Sequence, residues 1–127
     1  MPRCRFVDPT REVRLSLSAD DWIVIRRELT VGQQRDLVRA MRDKDGAVDQ
    51  TAYPMARALA YLVAWSFVDE RGTVAPITAG AIEFLETATL TEITVALNAH
   101  EAALEQEKKA TTSTATAVDP TLQFAGS

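Results

Sequence analysis

The 127 residues, 46% hydrophobic and 25% charged, suffice for one domain around one core and are too few for two. The longest apolar stretches, Trp22 to Ile25 and Met55 to Val68 with Arg57 inside it, fall short of the roughly 20 residues that span a bilayer, so no membrane span is expected. Net charge is -4 but uneven: residues 1 to 44 hold 10 Lys and Arg against 7 Asp and Glu, a balance of +3, while the rest hold 4 against 11, a balance of -7.

Residues 1 to 10 read as an irregular lead-in, after which Val13, Leu15 and Leu17 alternate with Arg14 and Ser16 in the period of a half-buried strand. Ser18-Ala19-Asp20-Asp21 carries turn chemistry. Trp22-Ile23-Val24-Ile25-Arg26 then reads either as a second strand that closes a hairpin or as the start of a helix, since a continuous apolar run suits both. Thr30-Val31-Gly32-Gln33 matches a capping box, and beyond it Leu37, Val38 and Met41 share one face of an amphipathic helix that ends near Lys44. Asp43-Lys44-Asp45-Gly46 is a stop signal.

Pro54 suits the first turn of the next helix, and the alanines and leucines from Met55 to Trp65 predict a central, most buried helix. Its end carries Tyr61, Trp65 and Phe67 before the turn Asp69-Glu70-Arg71-Gly72. Thr78 then caps a short helix with Ile82 and Leu85 on one face, and Thr89-Leu90-Thr91-Glu92 offers a second capping box, so a break is expected near Glu86 to Thr89. Leu90, Ile93, Leu97, His100 and Leu104 form the apolar stripe of the last helix, with Lys108-Lys109 at its end. The expected organisation is a lead-in over 1–10, a helical domain over 11–109 and a flexible Thr/Ala-rich tail over 110–127. The fold class expected is mainly α, about four helices, with the N-terminal β-hairpin left open.

Catalysis has no support along the chain. His100 is the single histidine of the chain, and adjacent Glu101 diverges from it by about 100° on a helix. Asp20-Asp21 and Asp69-Glu70 sit in turn-forming sequence, the five glycines are scattered with no phosphate-cradling loop, and one Cys with one His cannot build a zinc site. No enzyme activity, cofactor or metal is therefore expected. Cys4 reads as an incidental thiol, and the start Met1-Pro2-Arg3-Cys4-Arg5, without an apolar core segment, leads to the expectation of a reducing cytosolic setting. Arginines in the basic first third alternate with acids, which reads as a solvated helix face rather than a nucleic-acid surface. Trp22, Tyr61, Trp65 and Phe67 are the candidate partner-binding residues, because Trp and Tyr are enriched at interface hot spots, although in so small a domain at least half of them are expected in the core.

Two stretches resemble a known family. Asp21-Trp22-Ile23-Val24-Ile25-Arg26-Arg27-Glu28-Leu29-Thr30-Val31-Gly32-Gln33-Gln34 is one, and Tyr61-Leu62-Val63-Ala64-Trp65-Ser66-Phe67-Val68-Asp69-Glu70-Arg71-Gly72-Thr73-Val74-Ala75-Pro76-Ile77-Thr78 is the other. With the Glu-rich last helix they cover roughly residues 11 to 108, and the chain resembles the tail assembly chaperones of long-tailed, siphovirus-type bacteriophages. The resemblance implies a mostly helical, non-catalytic domain that binds the tape measure protein in the host cytoplasm, keeps it soluble and helps recruit tail tube subunits. Tail tube protein and self-association are further partners it suggests; nucleic acid and membrane are not among the expected partners. The family has no catalytic residues to carry over. A structural virion component, such as a tail-completion or connector protein, is the alternative, and a small nucleic-acid-binding regulator is a third class. Because residues 110–127 lack the apolar period that would offset ordering entropy, their deletion is expected to leave the melting temperature unchanged in a thermal scan.

Overall fold

A computed structural model of the chain describes the backbone of residues 3–116 and the side chains of residues 3–110. The alternation at Val13 and Leu15 becomes strand β1 (Glu12–Ser16), which pairs antiparallel with β2 (Trp22–Arg26). Val13 lies opposite Ile25 and Leu15 opposite Ile23, so all four project to one face of the sheet. Ile23 and Ile25 are fully buried there, and Trp22, Val24 and Arg26 are half-buried on the other face. The ambiguity over residues 22 to 26 thus resolves to a strand.

The turn between the strands is strained. Leu17 N–H donates to Asp21 O at 2.8 Å, and the chain closes through Ala19 and Asp20 at φ of 55° and 61°, left-handed values that a Cβ disfavours. Past β2 the expected capping box is present: Thr30 Oγ1 accepts from Gln33 N–H at 3.0 Å, and Gln33 Oε1 accepts from Thr30 N–H at 2.9 Å. It opens α1 (Val31–Ala40). Leu37 and Met41 are buried as the period requires, but Val38 is exposed, because the stripe toward α2 is too narrow to take a residue one position beyond Leu37.

A tight turn follows α1. Asp43 N–H donates to Ala47 O, and the Asp43 carboxylate accepts from the amides of Asp45 and Ala47 while Gly46 takes a φ of 83°. Asp49 then accepts from the hydroxyl and the amide of Thr51, which hold its carboxyl below the usual carboxylate range, and the single 3-10 turn Gln50–Ala52 leads into α2 (Tyr53–Tyr61) with Pro54 in its first turn. Within α2 Ala56, Arg57, Ala58 and Tyr61 are buried, and the Arg57 guanidinium lies 5.8 Å from the centroid of the Tyr53 ring.

Here the expectation of a mainly α domain fails. The central helix predicted from Met55 to Trp65 stops at Tyr61, and Leu62–Trp65 forms a third strand, β3, antiparallel to β2. Among the described residues the fold is a three-stranded antiparallel sheet, ordered β1-β2-β3, with four α-helices. Leu62 leaves the helix at ψ 128°, its N–H still donating to Ala58 O, and Trp65 comes to lie opposite Ile23. Val63 and Trp65 favour a pleated surface as much as a helix, and the open side of β2 decides between them. A register shift between Val24 and Ile25 lets Leu62 and Trp65 both reach the buried face.

Thr78 Oγ1 accepts from Ala81 N–H at 3.0 Å and starts α3 (Ala79–Glu83), whose Ile82 is buried. The final helix, α4 (Thr87–Thr116), begins two residues ahead of the expected cap at Thr89. It runs past Lys109, where a flexible tail was expected to begin; the rest of that tail, residues 117–127, lies outside the described residues. Of the described residues, those up to Thr94 form one compact unit, with α1 packed on α2 and α2 on α3, and those from Val95 to Thr116 form a second. Along that second stretch the less exposed positions are Ala96, Leu97, His100, Leu104 and Lys108, and from Leu97 on they follow a helical period.

Leu62 is buried, whereas Leu59 is only half-buried. Leu62→Ala is expected to cost roughly 2–5 kcal/mol in chemical denaturation and Leu59→Ala distinctly less. Equal losses would mean that β3 does not anchor the core.

Candidate partner-binding surface

The four aromatic residues singled out from the sequence have separate fates. Tyr61 and Trp65 are buried, at 4% and 3% exposure, and cannot present a surface to a partner. Trp22 is half-buried on the outer face of the sheet, with the Arg14 guanidinium 4.4 Å from its ring centroid. Its backbone N–H donates to Ser66 Oγ at 2.9 Å, and Ser66 Oγ donates in turn to the Asp21 carboxylate at 2.8 Å. The Trp22 ring thus remains partly open to solvent beside Arg14. Phe67 is half-buried, 5.0 Å from Trp65 between ring centroids, and borders the surface described next.

From β3 the chain enters a hairpin turn at Asp69–Thr73. Asp69 N–H donates to Thr73 O, the Asp69 carboxylate accepts from the amides of Arg71 and Thr73, and Gly72 adopts the left-handed φ of 80° that the turn needs. This bridges Val68 to Val74, and Trp65 Nε1 donates to Ala75 O at 2.7 Å, pinning the returning strand over the core. Val68 and Val74 stay 56% and 57% exposed. At the end of α3 burial of Ile82 has a direct consequence: a residue two positions on is turned by about 200°, so Phe84 points into water at 91% exposure.

Phe67, Val68, Phe84 and Leu85 together line two adjoining depressions of about 640 and 460 Å³. Asp69, Glu70 and Arg71 border the first, and Asp21, Glu86 and Glu92 border the second. The result is an apolar ridge flanked by carboxylates. Among the described residues none of Asp69, Glu70, Glu86 and Glu92 takes part in an ion pair, and Arg71 is the one cation that borders these depressions. A narrower cleft, lined by Ala40, Ala56 and Leu59, lies along α2 toward α1 and α3.

Glu92 has a second task. The expected capping box would have turned its side chain back to Thr89; instead its carboxylate accepts from both the N–H and the hydroxyl of Ser18, at the start of the strained β1–β2 turn. Because α4 begins at Thr87, the amide of Thr89 is already bonded to Glu86 O and needs no cap from that side chain.

Val68, Val74, Phe84 and Leu85 were missed as surface residues. A signal for Phe84 existed: once Ile82 and Leu85 define the buried face of a short helix, the intervening Phe84 must point away from it. Other functional chemistry is scarce: among the described residues no group of three or more His, Cys, Asp or Glu is placed to hold a metal ion, and no helix is long and apolar enough to cross a membrane. His100 is half-buried on α4 beyond residue 94, in the second unit. Comparison with protein-family models, with curated proteins and with solved structures finds no match to this chain.

Two opposite stability changes are expected around the β1–β2 turn. Glu92→Ala removes both acceptors from Ser18 and should destabilise by about 1 kcal/mol, while Ala19→Gly relieves a left-handed Cβ and should stabilise by about 1 kcal/mol. Urea titration of the two variants and their combination measures both, and a destabilising Ala19→Gly would show that the turn carries no strain.

Proposed function

We propose that this chain is a non-catalytic tail assembly chaperone of a long-tailed bacteriophage. It acts in the host cytoplasm, binds the tape measure protein, keeps it soluble, helps recruit tail tube subunits and is absent from the finished particle. The observation that carries the reading is the ridge of Phe84, Val68 and Val74, large apolar side chains kept in water by the geometry of α3 and the 69–73 hairpin. Large exposed apolar residues that adjoin one another are where protein partners bind. The resemblance of residues 21–34 and 61–78 to tail assembly chaperones supplies the identity of the partner. Phe67 remains a contributor at the border of the ridge; Tyr61 and Trp65 contribute only by supporting it.

A long helical partner with apolar stripes would aggregate until tube subunits covered them. A small domain with an exposed apolar ridge can cover one such stripe, and modest affinity allows displacement without an energy source. Co-expression is expected to keep the cognate tape measure protein in the soluble fraction and to yield a complex at low salt. Phe84→Ser combined with Val68→Ser should lose most of that effect while the melting temperature stays unchanged, whereas Trp65→Ala should unfold the domain. Equal solubility of the tape measure protein alone, or no co-purification, removes the chaperone reading. Mass spectrometry of purified particles then decides for a virion component if the chain is abundant there.

A further inference from the structure

Resting on that reading, we infer that the Phe84 ridge takes a cationic amphipathic helix, with apolar residues at helical spacing and Lys or Arg along their flanks. Two properties of the surface specify this partner, one of charge and one of shape.

The carboxylates around the ridge accept only from neutral donors. Asp69 accepts the amides of Arg71 and Thr73, Glu86 the hydroxyl of Thr89, and Glu92 the amide and hydroxyl of Ser18. Glu70 and Glu86 are exposed, and among the described residues Arg71 is the one cation bordering either depression. A neutral apolar segment laid on Phe84 would strip water from these carboxylates without replacing it. An acidic segment, a nucleic acid or an anionic membrane would be repelled. Lys and Arg side chains fit both needs, since their aliphatic stems can cover Val68 and Val74 while their heads reach the carboxylates.

Part of the backbone around the ridge is already paired within the chain. Phe67 O accepts from Ala75 N–H, Asp69 N–H donates to Thr73 O, and Ala75 O accepts from Trp65 Nε1. On the other side Phe84 and Leu85 N–H donate to Ala81 and Ile82 O. Depressions on both sides of a phenylalanine ridge suit the successive anchors of a helix, spaced three and four residues apart.

The test uses the full chain and two synthetic 18-residue helical peptides with the same leucine positions, one with Lys and one with Glu on the flanks. Isothermal titration measures binding, and Trp65 fluorescence in a Trp22→Phe background reports occupancy, because that ring lines the first depression. The Lys peptide should bind at least about tenfold tighter than the Glu peptide and lose about tenfold in affinity between 50 and 500 mM salt. Phe84→Ser should abolish binding of the Lys peptide, and Glu70→Lys with Glu86→Lys should reverse the preference. Equal affinity for the two peptides, absence of binding, a preference that survives the charge reversal, or burial of the ridge by a second copy in sedimentation experiments would each overturn the inference. The two readings fail separately: a tape measure complex without charge preference removes only the cationic partner, and a clear peptide preference without co-purification removes only the chaperone.

Discussion

Arg26 Nη1 donates to Ala60 O at 2.7 Å, and the passage of the chain from α2 into β3 depends on that bond. The last carbonyls of a helix have no partner within it, and a cation from a neighbouring element can take their place. With Ala60 O satisfied by the central strand, Leu62 can turn to an extended conformation and lie beside β2. Everything downstream inherits its position from this step. Ser66 follows β3 and accepts from Trp22 N–H, Trp65 Nε1 holds Ala75, and the hairpin between them projects Val68 and Val74 from the rim of the sheet.

The same turn is built twice. Asp43-Lys44-Asp45-Gly46-Ala47 and Asp69-Glu70-Arg71-Gly72-Thr73 share an aspartate whose carboxylate accepts two amides, a glycine at positive φ and a closing bond from the Asp N–H to the fifth residue's carbonyl. Local chemistry determines these loops, since the carboxylate and the glycine act within five residues. Their surroundings differ. The first reverses the chain between α1 and the start of α2, and the second sits beside the end of α3, where it completes an apolar surface.

At the opposite end of the hairpin β1–β2, strain and support are adjacent. Ala19 and Asp20 are left-handed without being glycine, and Glu92 grips Ser18 from the start of α4 one residue before the buried Ile93. A non-glycine in that conformation persists only where neighbouring contacts hold it. Glu92 thereby links the first turn of the fold to its last helix and leaves a charge at the edge of the apolar ridge.

Sequence by itself determined the features whose physics is local. The alternation at Val13 and Leu15, the Thr30–Gln33 capping box, the Thr78 cap, Pro54 in a first helical turn and the two Asp–Gly turns were all legible, because each is settled by a few consecutive residues. The stripe Leu90, Ile93, Leu97, His100 and Leu104 was legible as well, and each of those positions is buried or half-buried. Tertiary structure alone decided where α2 ends, since no glycine or proline separates Tyr61 from Leu62 and the unpaired side of β2 outweighs helix propensity. It also decided which aromatics are surface: Trp65 and Tyr61 are buried because β3 and α2 place them on the core side, and Phe84 is exposed because Ile82 claims the single buried face of a five-residue helix. Helix and strand propensities in an apolar run differ by less than the free energy of burying one large side chain, so the choice between them, and with it the surface a partner meets, belongs to long-range packing.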